Sequence, residues 1–333
     1  MGDDTARRWV WIALSVLVAM GCRGEGRGTA ALRLGLFPNL THAQALVGVR
    51  EGLFARAVAP AGVEVKQFNA GPAAMEALAS GSLDVSYVGI GPAINAYLKG
   101  GRELRIVAAA VGGGAALITR TAASPDALRG KRVAAPQRGN TQDIALRHWL
   151  RGHGLAPGRD VEVIALPNPE IQGMFERGEI EGAWVPEPWG ARLIAAGGKI
   201  LVDERDLWPE RRFQTTVLVT TSRVLERRRE DVKKVLRTHV ELTRRWQADP
   251  AAFLRSTHEA FRAYAGQGLD PKVAADAFSR IEPMVRPIEA NIRAVARQAR
   301  ELSYLQEDDV TGIVEAGLLD EVLREMAIPS ATR

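Results

Sequence analysis

The feature that most limits how this chain can fold is a short strand that stops at a small polar turn and opens a helix. It is plainest in residues 129–143. Lys131 to Ala135 is short and flanked by turn residues, so it reads as a buried strand. Gly139, Asn140 and Thr141 then form a turn, and Gln142 to Leu150 has helical spacing, with Asn140 or Thr141 as the N-cap. Such a turn leaves free backbone N–H groups and a positive dipole end at one spot. That spot binds an anion without needing a lysine or arginine. One such turn is an ordinary βα connection. The information lies in its repetition.

The same form recurs along the chain. Strands are expected at 32–36, 63–68, 84–88, 104–110 and 115–119, with helices at 43–51, 73–79 and 93–98. Thr41 is a possible cap for the first of these helices, and Pro72 stands early in the second, where its missing N–H does no harm. A second series has strands at 131–135, 161–166, 182–185 and 199–202 and helices at 142–151, 170–176 and from Pro186 to Ala196. The β-branched run Thr215 to Thr220 carries the chain back to the first series. This alternation predicts parallel α/β sheets. From Ser222 onwards the pattern is helical, with Val232, Val235, Leu236, Val240 and Leu242 on one face and a last helix near Leu318 to Met326. There is no internal repeat at solenoid periods.

A chain of 333 residues is long enough for two domains. The balance of 44 basic against 39 acidic residues is only mildly basic. No lysine or arginine tract is interleaved with aromatics, which disfavours nucleic acid as a partner. The run Glu226 to Lys234 mixes arginines with acids and reads as a solvated helix face. The single cysteine, Cys22, permits no intramolecular disulfide. His42, His148, His153, His239 and His258 have no metal-ligand spacing, so no metal or other cofactor is assigned.

Residues 1–22 have the form of an export signal. Arg7 and Arg8 supply a positive start, and Trp9 to Met20 is apolar except for Ser15, too short to span a bilayer comfortably. Val18 to Cys22 resembles a bacterial lipobox, in which the cysteine is lipidated, although Ala19 stands where leucine is usual. Plain cleavage nearby and an uncleaved anchor are the alternatives. Residues 23–30 then form a Gly-rich flexible tether. The expected location is the periplasm or cell-envelope surface, anchored through lipid.

In parallel α/β sheets ligands bind beyond the carboxyl ends of the strands. Here those ends carry residues 39–42, 89–92, 112–114, 139–142 and 186–188, all small or polar. Two sheets facing each other would line a cleft with amides, hydroxyls and backbone N–H groups, which suits reversible capture of a small anionic solute. The loops make Gly89, Asn95, Gly113 and Gln142 candidates for solute contact. Gly89 and Gly91 could also serve close packing. Glu187 either caps its helix or pairs with an ammonium group on the ligand. Trp184 and Trp189 are assigned to packing. There is no GxSxG elbow, no Walker A pattern and no complete GxGxxG, so the chain reads as a binding protein and not an enzyme.

Taken together, Leu34 to Ala43, Phe68 to Pro72, Gly89 to Ala96, Leu128 to Ala134, Trp184 to Trp189 and Val202 to Pro209 resemble the solute-binding proteins of nitrate, taurine and aliphatic-sulfonate ABC importers. The resemblance implies a type II periplasmic-binding-protein fold with two α/β domains and a ligand cleft between them. Domain one would be residues 31–119 plus 217–333, and domain two residues 120–216. The hinge would lie near Thr119–Thr121 and Thr215–Thr220. The resemblance also implies a monomer that delivers solute to a membrane permease with its ATPase. Carried over to this sequence, it offers Asn39, Thr41, His42, Gly91, Asn140, Thr141 and Glu187 as contacts. A binding protein for thiamine-pyrimidine precursors, or a related pyrimidine-synthesis enzyme on a similar fold, is the alternative. The enzyme would need a cofactor-holding lysine beside His42, and none is evident. A tethered sensory domain is a third reading.

Overall fold

The computed structural model describes residues 30–266 and 268–327. The expected signal segment, Cys22 and most of the tether lie outside the described residues. Among the described residues eleven strands form two sheets. The first holds β1 (Leu32–Leu36), β2 (Val63–Gln67), β3 (Val85–Gly89) and β4 (Leu104–Gly113). The second holds β5 (Ala115–Thr119), β6 (Arg132–Ala135), β7 (Glu162–Ala165), β8 (Gly182–Pro186) and β9 (Lys199–Asp203). β10 (Gln214–Thr221) and β11 (Ile281–Pro283) then complete the first. The orders are β11-β4-β10-β3-β1-β2 and β7-β6-β8-β5-β9.

The helices are α1 (Ala43–Arg50), α2 (Leu53–Ala57), α3 (Gly71–Ala79), α4 (Ile90–Lys99), α5 (Thr141–Gly152), α6 (Asn168–Glu176) and α7 (Trp189–Ala195). They continue with α8 (Ser222–Ala248), α9 (Pro250–Ala265), α10 (Pro271–Ser279), α11 (Glu289–Glu301) and α12 (Ala316–Glu325). The expected apolar face of α8, Val232 to Leu242, is buried against the first sheet.

Each sheet is covered on both faces, and strand alternation decides which residue goes where. In β10, Leu218 joins the cluster with Leu32, Leu34, Leu36 and Tyr87. Its neighbours Val217 and Val219 join Val88, Ile94 and Ile106 on the other side. In the second sheet Leu117, Val133 and Trp184 face one way and Ala116, Ala134 and Val185 the other.

Two sequence expectations are corrected. The sheets are mixed and not wholly parallel: β1 runs parallel to β2 and β3, and β6 to β7 and β8, but β10 and β5 run against their neighbours. Only Gly114 separates β4 from β5, and the two strands lie in different sheets. The boundary expected after residue 119 is also misplaced. Ala115–Thr119 pairs with β8 and β9, whereas Gln214 and Thr216 pair with β4. The chain therefore passes between lobes at Gly113 and Gly114, and returns before Gln214. The two glycines hold φ of 66° and 70°, a left-handed conformation that breaks an otherwise continuous apolar run. Of the expected hinge segments, Thr215–Thr220 lies within β10, and Thr119–Thr121 begins at the last residue of β5.

The turn leaving β9 carries a buried acid, Glu204, which is 1% exposed. Burial pushes its carboxyl up to about 8, with partial relief from Trp184 Nε1, which donates to it at 3.1 Å, and a further upward push from Asp203. The folded chain thus holds a proton that the unfolded chain loses above its ordinary value of 4.5. Stability from this group is present below that value and falls as pH rises towards about 8. Glu204→Gln is expected to flatten this slope. Urea midpoints at pH 5 and pH 8 check it: the drop between them should be smaller in the variant than in the wild type.

Candidate functional site

The carboxyl ends of the strands from both sheets meet over one small cavity of about 30 Å³. Phe37 follows β1, Pro136 follows β6 and Pro186 ends β8, while Thr215 and Thr216 stand at the amino end of the antiparallel β10. The remaining lining belongs to helix starts. Asn39, Thr41 and His42 form the 3₁₀ turn that leads into α1. Asn69, Ala70 and Gly71 open α3, Gly89 and Pro92 open α4, Asn140, Thr141 and Gln142 open α5, and Asn168 opens α6. Three of these starts come from the first lobe and two from the second.

Local chemistry explains the turns. Asn140 is the N-cap of α5: its Oδ1 accepts from the N–H groups of Gln142 at 2.9 Å and Asp143 at 3.1 Å. Thr41 is not a cap, because the 3₁₀ turn begins before it at Asn39. No side-chain cap bond occurs at the starts of α1, α3, α4 or α6. Their first N–H groups are left for another acceptor.

Among the described residues no ionised side chain lines the cavity. His42, 2% exposed, does not supply a charge either, since burial pushes its imidazole down to about 3. Its Nδ1 accepts from the Phe37 N–H at 3.4 Å, so the ring proton sits on Nε2. Behind it lies a buried polar chain. His239 Nε2 bonds the Ala109 carbonyl at 2.9 Å and must donate, so its Nδ1 accepts from the Tyr87 hydroxyl at 3.0 Å. Burial pushes His239 down to about 4 and Tyr87 up, so both are neutral at pH 7. What the cavity offers is therefore hydrogen-bond donors and the positive ends of several helices.

The lobes close on each other around this cavity. Leu40 N–H donates to the Glu187 carbonyl at 3.0 Å, Trp189 Nε1 to Asn39 Oδ1 at 3.0 Å, and Gly91 N–H to Thr141 Oγ1 at 3.1 Å. On one flank Arg280 Nε donates to Glu187 Oε1 at 2.7 Å. On the other the Tyr304 hydroxyl donates to Asp143 Oδ2 at 2.7 Å.

Of the candidate contacts, Asn39, Thr41, His42, Gly89, Asn140, Thr141 and Gln142 share the cavity. Gly91, Asn95, Gly113 and Glu187 do not line it. A Cβ on Gly91 would meet Thr141 N at 3.0 Å and Ile144 Cδ1 at 3.1 Å, so its smallness serves contact between lobes. Half-buried Asn95 faces Gly139 across the cleft. At Gly113 a Cβ would meet the Arg280 carbonyl at 2.5 Å; the residue belongs to the chain crossing. Glu187 receives the Ala191 N–H at 3.0 Å near the start of α7, as a capping residue would, and spends its other oxygen on Arg280. The sequence reading missed Asn69 and Asn168, each of which stands before or at a helix start as Asn140 does. It also missed Thr215 and Thr216, which sit within a strand and carry no such signal.

Comparison with known proteins fits this geometry. A taurine-binding periplasmic protein of Escherichia coli (strain K12) is 29% identical over 198 residues, which cover 58% of this chain and 60% of that protein. The chain thus matches less than two thirds of that relative's length. A nitrate/nitrite binding protein, NrtA, of Synechococcus elongatus is 34% identical over 56 residues, 17% of this chain and 13% of its own. Among solved structures, the alkanesulfonate-binding protein SsuA from Xanthomonas axonopodis pv. citri, bound to MOPS, superposes with a TM-score of 0.73 at 20% identity, covering 86% of this chain and 99% of that one. The periplasmic nitrate-binding protein NrtA from Synechocystis PCC 6803 gives 0.75 at 15% identity, covering 90% of each. The fold is that of the type II periplasmic solute-binding proteins. Residues 25–259 match the NMT1-like family, and the chain belongs to it.

Proposed function

We propose that this chain is the extracytoplasmic solute-binding component of an ABC importer, that it captures a small oxyanion between its lobes, and that it delivers it to a membrane permease. One observation carries this reading: the N-termini of helices from both lobes converge on a cavity without ionised side chains. Neutral donors and helix ends stabilise one negative charge well and leave a second uncompensated. No carboxylate lines the cavity to receive an ammonium group. The order expected is therefore nitrate and short aliphatic sulfonates ahead of taurine. The ligands of these relatives (taurine, nitrate, alkanesulfonate) support the class. They do not support the pyrimidine-precursor alternative. We assign domain one to residues 31–113 and 214–327 and domain two to residues 115–203. Lipid anchoring through Cys22, action as a monomer and absence of catalysis belong to the same proposal.

The test is thermal unfolding with a panel of nitrate, methanesulfonate, taurine and sulfate. A true solute at 100 times its Kd stabilises by about 2.7 kcal/mol. For a chain of this size that is a rise of about 4 °C in melting temperature. A flat response to every anion on the panel contradicts the reading.

A further inference from the structure

Two side chains that do not line the cavity sit on either flank of it and tie the lobes together. We propose that Arg280 and Tyr304 are positioning residues that hold the lobes shut and thereby set the rate at which solute leaves.

Each acts on an acid of the second lobe placed directly beside a lining residue. Glu187 follows Pro186, and Asp143 follows Gln142. Both acids are buried, at 1% and 0% exposure. Arg280 and Tyr304 belong to the first lobe, Arg280 between α10 and β11 and Tyr304 just past α11. The ties therefore run from lobe to lobe at the positions where the cavity wall is made.

The bonding of each group shows why the ties are reversible. Truncating one partner of a buried charge pair is severe because it strands the other charge. Opening the lobes strands nothing here. Arg280 keeps Asp276 of its own lobe, to which Nη1 and Nη2 donate at 2.7 Å each. Asp143 keeps Arg147 Nε at 2.7 Å and the Gly139 N–H at 2.9 Å. Glu187 keeps the Ala191 N–H and gains water. Tyr304 also supports the stacked guanidinium of Arg138, 5.4 Å from its ring centre. Each tie is thus an extra bond on an already satisfied group, strong enough to bias closure and able to let go. The remaining side-chain bonds at the cavity rim use Asn39 and Thr141, which line the cavity, so substitutions there would mix closure with solute contact.

The experiment compares the full-length wild type with Arg280→Met, Tyr304→Phe, the double variant and Asp276→Asn. Small-angle scattering with and without saturating nitrate or methanesulfonate measures closure, and its solute-free arm, which compares the variants with the wild type, stands whether or not the proposed solute class is right. Stopped-flow release of nitrate and methanesulfonate measures retention, and this arm rests on the solute-binding reading. The wild type should close on saturation with solute and be at least as closed as any variant without it. Each single variant should open part of the population and release solute about tenfold faster, with the double variant more open than either. Asp276→Asn leaves Arg280 to Glu187 and should stay closed. A solute-saturated wild type that stays open, unchanged scattering in the variants, or equal opening by Asp276→Asn and Arg280→Met overturns the proposal. A lower melting temperature without a change in closure overturns it as well, because that is the signature of a merely structural role.

Discussion

Gly91→Leu is expected to abolish solute capture while leaving both lobes folded. Gly91 lies in the first turn of α4, and even a Cβ there would press on the backbone nitrogen of Thr141 at 3.0 Å and its Cα at 3.1 Å. A leucine adds three more carbons where α5 stands in the closed form. In an open cleft the same side chain has space, and leucine is a better helix residue than glycine by about 1 kcal/mol. The substitution thus penalises closure alone. Overpacking at a rigid contact costs about 3 kcal/mol at the upper end. If solute is held by the closed form, that is about a 100-fold loss of affinity. Titration calorimetry with nitrate or methanesulfonate, beside urea unfolding, separates the two effects. A variant that binds normally, or one that loses binding only because it unfolds, contradicts the argument.

Trp184→Ala is expected to cost about 3–5 kcal/mol of stability, confined to the second lobe. Trp184 is fully buried and packs with Leu117, Val133 and Trp149, whose ring meets it edge-on at 6.3 Å. Its indole also supplies the hydrogen bond to Glu204, which the alanine leaves without that donor. The first lobe has separate clusters of its own. The two lobes should therefore part company on heating, with an early transition that the wild type lacks. Hydrogen exchange locates it: protection should fall within residues 115–203 and persist in β1, β3 and β10. An even loss across both sheets would falsify the assignment of Trp184 to an independent core.

Much of this was readable in the sequence, because periodic burial writes itself into residue order. The alternating run at Leu32 to Leu36 and the β-branched run before Thr221 became strands, and the 232–242 face of α8 went inside. The turn at residues 139–142 was legible because one asparagine does a local job, satisfying the N–H groups of the residues two and three positions on. What escaped depends on partners distant in sequence. Nothing around Thr119 says that β5 pairs with β8, since an apolar strand buried on both faces looks the same in either sheet. Glu187 looked like a ligand group because its partner, Arg280, is 93 residues away. Thr215 and Thr216 reach the cavity only because β10 lies between β3 and β4.

The neutrality of the cavity has a consequence for where such a protein can work. Dissolved ions screen the attraction between exposed charges more than about 10 Å apart at 0.1 M. Here the attraction comes from helix ends and amides sealed under two lobes, and Asp143 and Glu187 beside them are already compensated. Brine and fresh water should thus leave the grip on the proposed solute nearly the same, which fits the extracytoplasmic role proposed for this chain.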